Sequence, residues 1–97
     1  MSDCAYCVEY FYAKPDCLED LQKSLQHVAM QSKAEPGCLQ YDLLQDSNNE
    51  NVLIIVLKYT DQAAMKAHES QPYVTDFMKS DMDRLCEKVT WNDARLI

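Results

Sequence analysis

The stretch "VLIIVLKY", residues 52–59, opens with six consecutive aliphatic side chains. Its β-branched content and its length of eight fit a strand. Successive side chains on a strand point to opposite faces. Leu53, Ile55 and Leu57 therefore share one face, and Val52, Ile54 and Val56 share the other. A strand in a sheet covered on one side only would place polar residues at every second position. This one is apolar on both faces and requires cover on both.

The neighbouring segments fall into place around it. "DSNNEN" (46–51) is made of residues that tolerate turn backbones, and "CLQYDLLQ" (38–45) alternates as a strand, so 38–59 reads as a hairpin. "EPG" (35–37) ends a predicted helix that starts with Asp16 as its cap and runs to about Ala34. Leu18, Leu21, Leu25, Val28 and Ala29 lie on one face of it. Residues 4–13, rich in Tyr, Phe and Val, read as a first strand ending at Lys14-Pro15. Downstream, Thr60 is expected to cap a short helix reaching about Ser70. Pro72 then opens a second segment with a stripe of Val74, Phe77, Met78, Met82 and Leu85. "KVTWNDARLI" (88–97) reads as a closing strand.

The order β-α-β-β-α-β predicts an α+β, ferredoxin-like fold, with residues 1–97 as a single domain. Two helices cover one sheet face. Strand 4–13 is also largely apolar on both faces, so the other face needs a cover of its own. Burying apolar surface stabilises by about 25 cal/mol per Å², and the simplest cover is a second copy of the sheet. A homodimer is expected, with Ile54 and Val56 in its interface.

With 16 acidic against 9 basic residues the formal charge is −7. Such a chain repels phosphate backbones and anionic lipid, so neither nucleic acid nor a membrane is an expected partner. The apolar run 52–57 is far too short to span a bilayer. "MSDCAYCVEY" lacks a basic start and an apolar signal region, which points to a cytoplasmic protein. An odd count of five cysteines then reads as reduced thiols. Cys4 and Cys7 form a C-x-x-C, but within a strand they point to opposite faces, and no second pair follows. No metal site is expected.

The stretch "KYTDQAAMKAHESQPY" (58–73) holds His68, one of two histidines. Together with the preceding residues it carries a resemblance. The E-P-G-C-L-x-Y turn at 35–41, the apolar strand 52–59, and the run D-x-A-A-x-x-x-H formed by Asp61, Ala63, Ala64 and His68 resemble the antibiotic biosynthesis monooxygenase family. The resemblance implies a ferredoxin-like dimer forming a shared barrel, a dimeric α/β barrel. It also implies one of several activities: cofactor-free oxidation of phenols and quinols, isomerisation of a signalling sugar, or haem degradation. Three positions depart from the family pattern. Where many members carry E-x-W at the end of the third strand, this chain has Leu57 and Tyr59, and a second family histidine is replaced by Tyr73. The haem-degrading pattern of a strand-1 Asn, a Trp and a proximal His meets Val8 or Glu9, Tyr59 and Met78 here, matching none.

Oxidation of a phenol without a cofactor asks for a base near neutrality, an apolar slot and polar groups for the substrate oxygens. His68 is the candidate base, since only histidine titrates near neutrality unperturbed. Tyr59, Tyr73, Phe77 and Trp91 are candidates for the slot, and Tyr41 or Asn92 for a hydrogen bond. No cofactor is expected; the expected ligand is a small aromatic or polar metabolite. Two other functions fit the same residues: an isomerase-like enzyme on a small polar metabolite, or a dimeric small-molecule-binding protein without turnover. A cationic clamp in the pocket would favour the isomerase, and a collapsed cavity the binding protein. His27 is read as a surface or packing residue.

Overall fold

Four strands, β1 (Ala5–Ala13), β2 (Cys38–Gln45), β3 (Val52–Tyr59) and β4 (Cys86–Ala94), form one antiparallel sheet in the order β2-β3-β1-β4. The coordinates are those of a computed structural model, and residues 3–97 are described. Helix α1 (Leu18–Lys33) connects β1 to β2. Between β3 and β4 run α2 (Gln62–Glu69), α3 (Pro72–Asp76), a π-helical turn (Phe77–Asp81) and α4 (Met82–Leu85). The α+β, ferredoxin-like expectation is met. Among the described residues no helix is long and apolar enough to cross a membrane.

The helices lie on one face of the sheet. That face carries Cys7 and Phe11 from β1, Leu53, Ile55 and Leu57 from β3, and Tyr41 from β2, all buried. Leu21, Leu25 and Val28 of α1 and Phe77 pack against them, with Phe11 and Phe77 in edge-to-face contact at 5.8 Å. Each fully buried aliphatic side chain in this core contributes roughly 1.5–3 kcal/mol.

On the opposite face Tyr6, Val8 and Tyr10 of β1 stand in register with Lys58, Val56 and Ile54 of β3, and all six are half-buried. Lys58 sits over the Tyr6 ring at 5.4 Å and Lys88 over Tyr12 at 4.5 Å. These lysine stems cover the ends of the apolar band while its centre stays uncapped.

Three local expectations change. Asp16 does not cap α1; it takes a left-handed backbone (φ 65°), which Asp tolerates, and Cys17 becomes the N-cap. Asp61, not Thr60, caps α2, its side chain accepting from the Ala64 amide at 2.8 Å. The last strand begins at Cys86 and ends at Ala94, because pairing with β1 continues past a register shift to Ala13 opposite Cys86.

The chain's single glycine fixes how α2 meets the sheet. A Cβ on Gly37 would lie 2.5 Å from the Ala64 Cβ and 3.2 Å from Thr60 Oγ1. The Thr60 amide also donates to the Gly37 carbonyl at 2.9 Å. The absence of a side chain at 37 and a methyl at 64 let the 35–37 turn dock directly onto the start of α2. This contact ties the "EPG" turn to the start of the "DQAA" run.

Candidate active site

His68, in the last turn of α2, is 5% exposed and forms part of the wall of a cavity of about 410 Å³ between sheet and helices. The docked turn brings Glu35 to it. Glu35 Oε2 lies 3.1 Å from His68 Nδ1, and the Tyr59 hydroxyl donates to Glu35 Oε1 at 2.7 Å. The Tyr73 hydroxyl donates to Glu35 Oε2 as well. Tyr59 Oη is also 2.9 Å from His68 Nδ1, and its ring tilts against the imidazole at 5.0 Å.

This network fixes where the protons sit. Burial and then the bond to Glu35 hold both the Tyr59 and Tyr73 hydroxyls above the ordinary tyrosine range, so they stay neutral donors. With both hydroxyl protons pointing at Glu35, the carboxylate is the acceptor and His68 Nδ1 carries a proton toward it. The other ring nitrogen, Nε2, bonds no group among the described residues. It is not sealed in the core either, since no buried side-chain polar atom there lacks a partner. Nε2 therefore opens to the cavity as an acceptor.

The remaining wall is mostly apolar: Phe11, Ile55, Leu57, Phe77 and Met82 among others, with Tyr41 edge-on to His68 at 5.7 Å and Trp91 near the exposed side. Burial pushes the Tyr41 hydroxyl well above its ordinary value, so it too stays protonated. Among the described residues no Lys or Arg lines the cavity, but three carboxyls do: Glu9 (β1), Glu69 (α2) and Asp93 (β4). The Cys7 thiol bonds Asp93, and burial together with nearby carboxylates raises it far above a reactive range.

Of the seven residues singled out from sequence, four meet at the cavity: His68, Tyr41, Phe77 and Trp91. Tyr59 stands behind His68 with its hydroxyl committed to Glu35. Tyr73 faces a separate polar groove with Ser24 and Asp76 and supports Glu35 from that side. Asn92 does not reach the cavity. It pairs with Val8, one residue out of phase with Trp91, and so lies on the opposite sheet face. On α2, Ala67 is exposed, while Ala64 and Met65 pack inward. His27 is exposed and bonds Gln31 at 3.0 Å.

Four acidic residues at the site were not singled out: Glu35, Glu9, Glu69 and Asp93. Glu35 sits in a turn 33 positions from His68 and reads as a helix breaker. Only its place next to the Pro-Gly that docks under α2 signals otherwise. Glu9 carried a plainer signal, being the one acidic residue on the parity of Cys7 and Phe11. Among the described residues no cluster of three or more His, Cys, Asp or Glu is arranged to hold a metal ion.

Fold and site together define a ferredoxin-like α+β domain with one cavity-facing histidine held from behind by a carboxylate. The chain belongs to the antibiotic biosynthesis monooxygenase family, whose model matches residues 5–80. It is 32% identical over 76 residues to "Putative monooxygenase YcnE" of Bacillus subtilis (strain 168), covering 78% of this chain and 80% of that one. PA3566 from Pseudomonas aeruginosa superposes with a TM-score of 0.91 at 28% identity, covering 100% of this chain and 98% of that one. SO0527 from Shewanella oneidensis superposes at 0.93 with 22% identity, over 97% and 91%, a likeness of fold.

Proposed function

We propose that this protein is a homodimeric, cofactor-free oxygenase or oxidase of small phenols or quinols, with His68 as the base. The observation that carries this reading is His68 itself. Its Nδ1 is tied to Glu35, and its Nε2 is open to an apolar, aromatic-walled cavity of about 410 Å³, a size suited to a small ring. The family membership and the YcnE name agree with monooxygenase-like chemistry.

In this reading Nε2 takes the phenol proton, and the imidazolium formed is stabilised by Glu35 across 3.1 Å. Glu35 thus provides, from another segment, the carboxylate that Leu57 does not. The phenolate gives one electron to O₂, and the two radicals join at a ring carbon. The hydroperoxide loses water to leave a quinone, so that phenol and O₂ become quinone and H₂O. The Phe11, Ile55, Leu57 and Phe77 wall keeps water from the phenolate and radical.

The isomerase reading lacks the cationic clamp a phosphorylated metabolite requires, since no Lys or Arg lines the cavity. The turnover-free reading is opposed by a cavity that is open and has an unbonded base in its wall. The test is oxygen uptake by the purified protein with a panel of monophenols and quinols, with quinone followed by absorbance. Substrate-dependent uptake without added cofactor is expected; a protein inert to the whole panel would overturn the proposal.

A further inference from the structure

Glu9 breaks the pattern of its own strand. The helix-facing positions of β1 are Ala5, Cys7, Glu9, Phe11 and Ala13, four of them buried and none of those charged. Glu9 lies between Ile55 of β3 and Trp91 of β4, with its carboxyl in the cavity wall. It forms no hydrogen bond or ion pair with any described residue. Its charged neighbours are all acidic, Glu69 from α2 and Asp93 from β4. The other groups lining the cavity around it are neutral: Tyr41 of β2, Ile55 and Leu57 of β3, Leu25 and Val28 of α1, and Phe77 and Met82 beyond α3. Nothing in the fold gains from a carboxyl here, and a broken local rule with no structural gain marks a functional position.

Its place relative to His68 indicates the role. His68 packs against the rings of Tyr59 and Tyr41, and Tyr41 is level with Leu57 and Cys7. Along β1, Glu9 is two residues from the level of Tyr41 and four from that of Tyr59, about 7 and 13 Å at the usual strand rise. Both residues line the same cavity, and a ring with a hydroxyl at each end, hydrogen-bonded at both, is of that length.

We propose that Glu9 receives the second hydroxyl of the substrate, so that the cavity selects a para-quinol held by His68 at one end and Glu9 at the other. The inference rests on the proposed oxidation and names its substrate class. The chemistry balances with O₂ as oxidant. His68 Nε2 takes one hydroxyl proton and Glu9 the other, and two electrons pass singly from the ring to O₂. The two bases then return their protons to the peroxide, so quinol and O₂ become quinone and H₂O₂. Burial beside Glu69 and Asp93 lifts Glu9 to about 7, which lets it both take and return a proton near neutrality.

The test separates contact from turnover. Hydroquinone and 4-methoxyphenol are titrated anaerobically at pH 8 into the full chain, wild type and E9Q, with the Trp91 fluorescence as readout; oxygen uptake is then measured on the same samples. Wild type should prefer hydroquinone. E9Q should lose about 10- to 100-fold in hydroquinone affinity, the usual effect of removing a charged hydrogen-bond partner, with 4-methoxyphenol unchanged. E9L, which removes the acceptor altogether, should do the same, and circular dichroism confirms that both variants fold. Equal losses for the two ligands, or none, would overturn the role of Glu9. A Glu9-dependent preference without oxygen consumption would uphold the contact and overturn the oxidation.

Discussion

Replacing Glu35 by Gln exchanges one oxygen for an N–H₂ group and should stop the chemistry while leaving the fold. Glu35 accepts from Tyr59 on Oε1 and from Tyr73 and His68 on Oε2. An amide keeps one acceptor and puts an N–H₂ where the other was. With the nitrogen in the Oε2 position, it faces His68 Nδ1 and can be satisfied only if Nδ1 gives up its proton. The proton then moves to Nε2, and the cavity-facing nitrogen becomes a donor that cannot take a phenol proton. At least one buried donor loses its acceptor, costing about 1–3 kcal/mol out of the 5–15 kcal/mol typical of a domain. Loss of a general base costs about 10²- to 10⁴-fold in rate. The assays are oxygen uptake and the ¹⁵N spectrum of His68, which separates the two tautomers. E35Q should fold, show the proton on Nε2 and lose at least a hundredfold in rate. A folded E35Q that keeps both the wild-type rate and the Nδ1–H tautomer would refute the role given to Glu35.

Three further outcomes follow from the packing and the charges. G37A should destabilise by about 1–3 kcal/mol, the usual cost of overpacking, because its methyl meets the Ala64 Cβ; A64G in the same chain should recover part of that loss in urea melts. Glu9, lifted from the ordinary 4.5 to about 7, keeps its proton in the folded chain after the unfolded chain has lost it. Stability should therefore fall between about pH 4.5 and 7 by at most about 3 kcal/mol, and E9Q should flatten that part of the pH profile; parallel profiles would contradict the assignment. V56D places a charge in the middle of the half-buried outer face and should shift a sedimenting dimer to monomer at micromolar concentration, whereas a monomeric wild type would remove the grounds for the dimer.

How much of this was legible follows from where each signal lies in the chain. The fold was legible because strand periodicity and helix stripes are local. Strand 52–59 needed only its own run of β-branched and aliphatic residues, and the Pro72 restart only its own ring. The pairing of His68 with Tyr59 was within reach for the same reason, since nine positions join strand end to helix end. Glu35 was not legible, because its role depends on a close approach between Gly37 and Ala64 that no periodicity reports. Asn92 was misplaced by a single residue of phase: Trp91 and Asn92 are neighbours in sequence and opposite in the sheet. Tyr59 and Tyr73 are aromatic, as a slot would require, yet their hydroxyls serve Glu35, a distinction that lies in side-chain direction.

The central claim is that His68 Nε2 is the base. Oxygen uptake with hydroquinone by wild type, H68A and H68N measures it most directly, with sedimentation and circular dichroism showing that fold and assembly persist. The account predicts consumption by wild type and a loss of about 10²- to 10⁴-fold in both variants; variants that keep pace with wild type would contradict it.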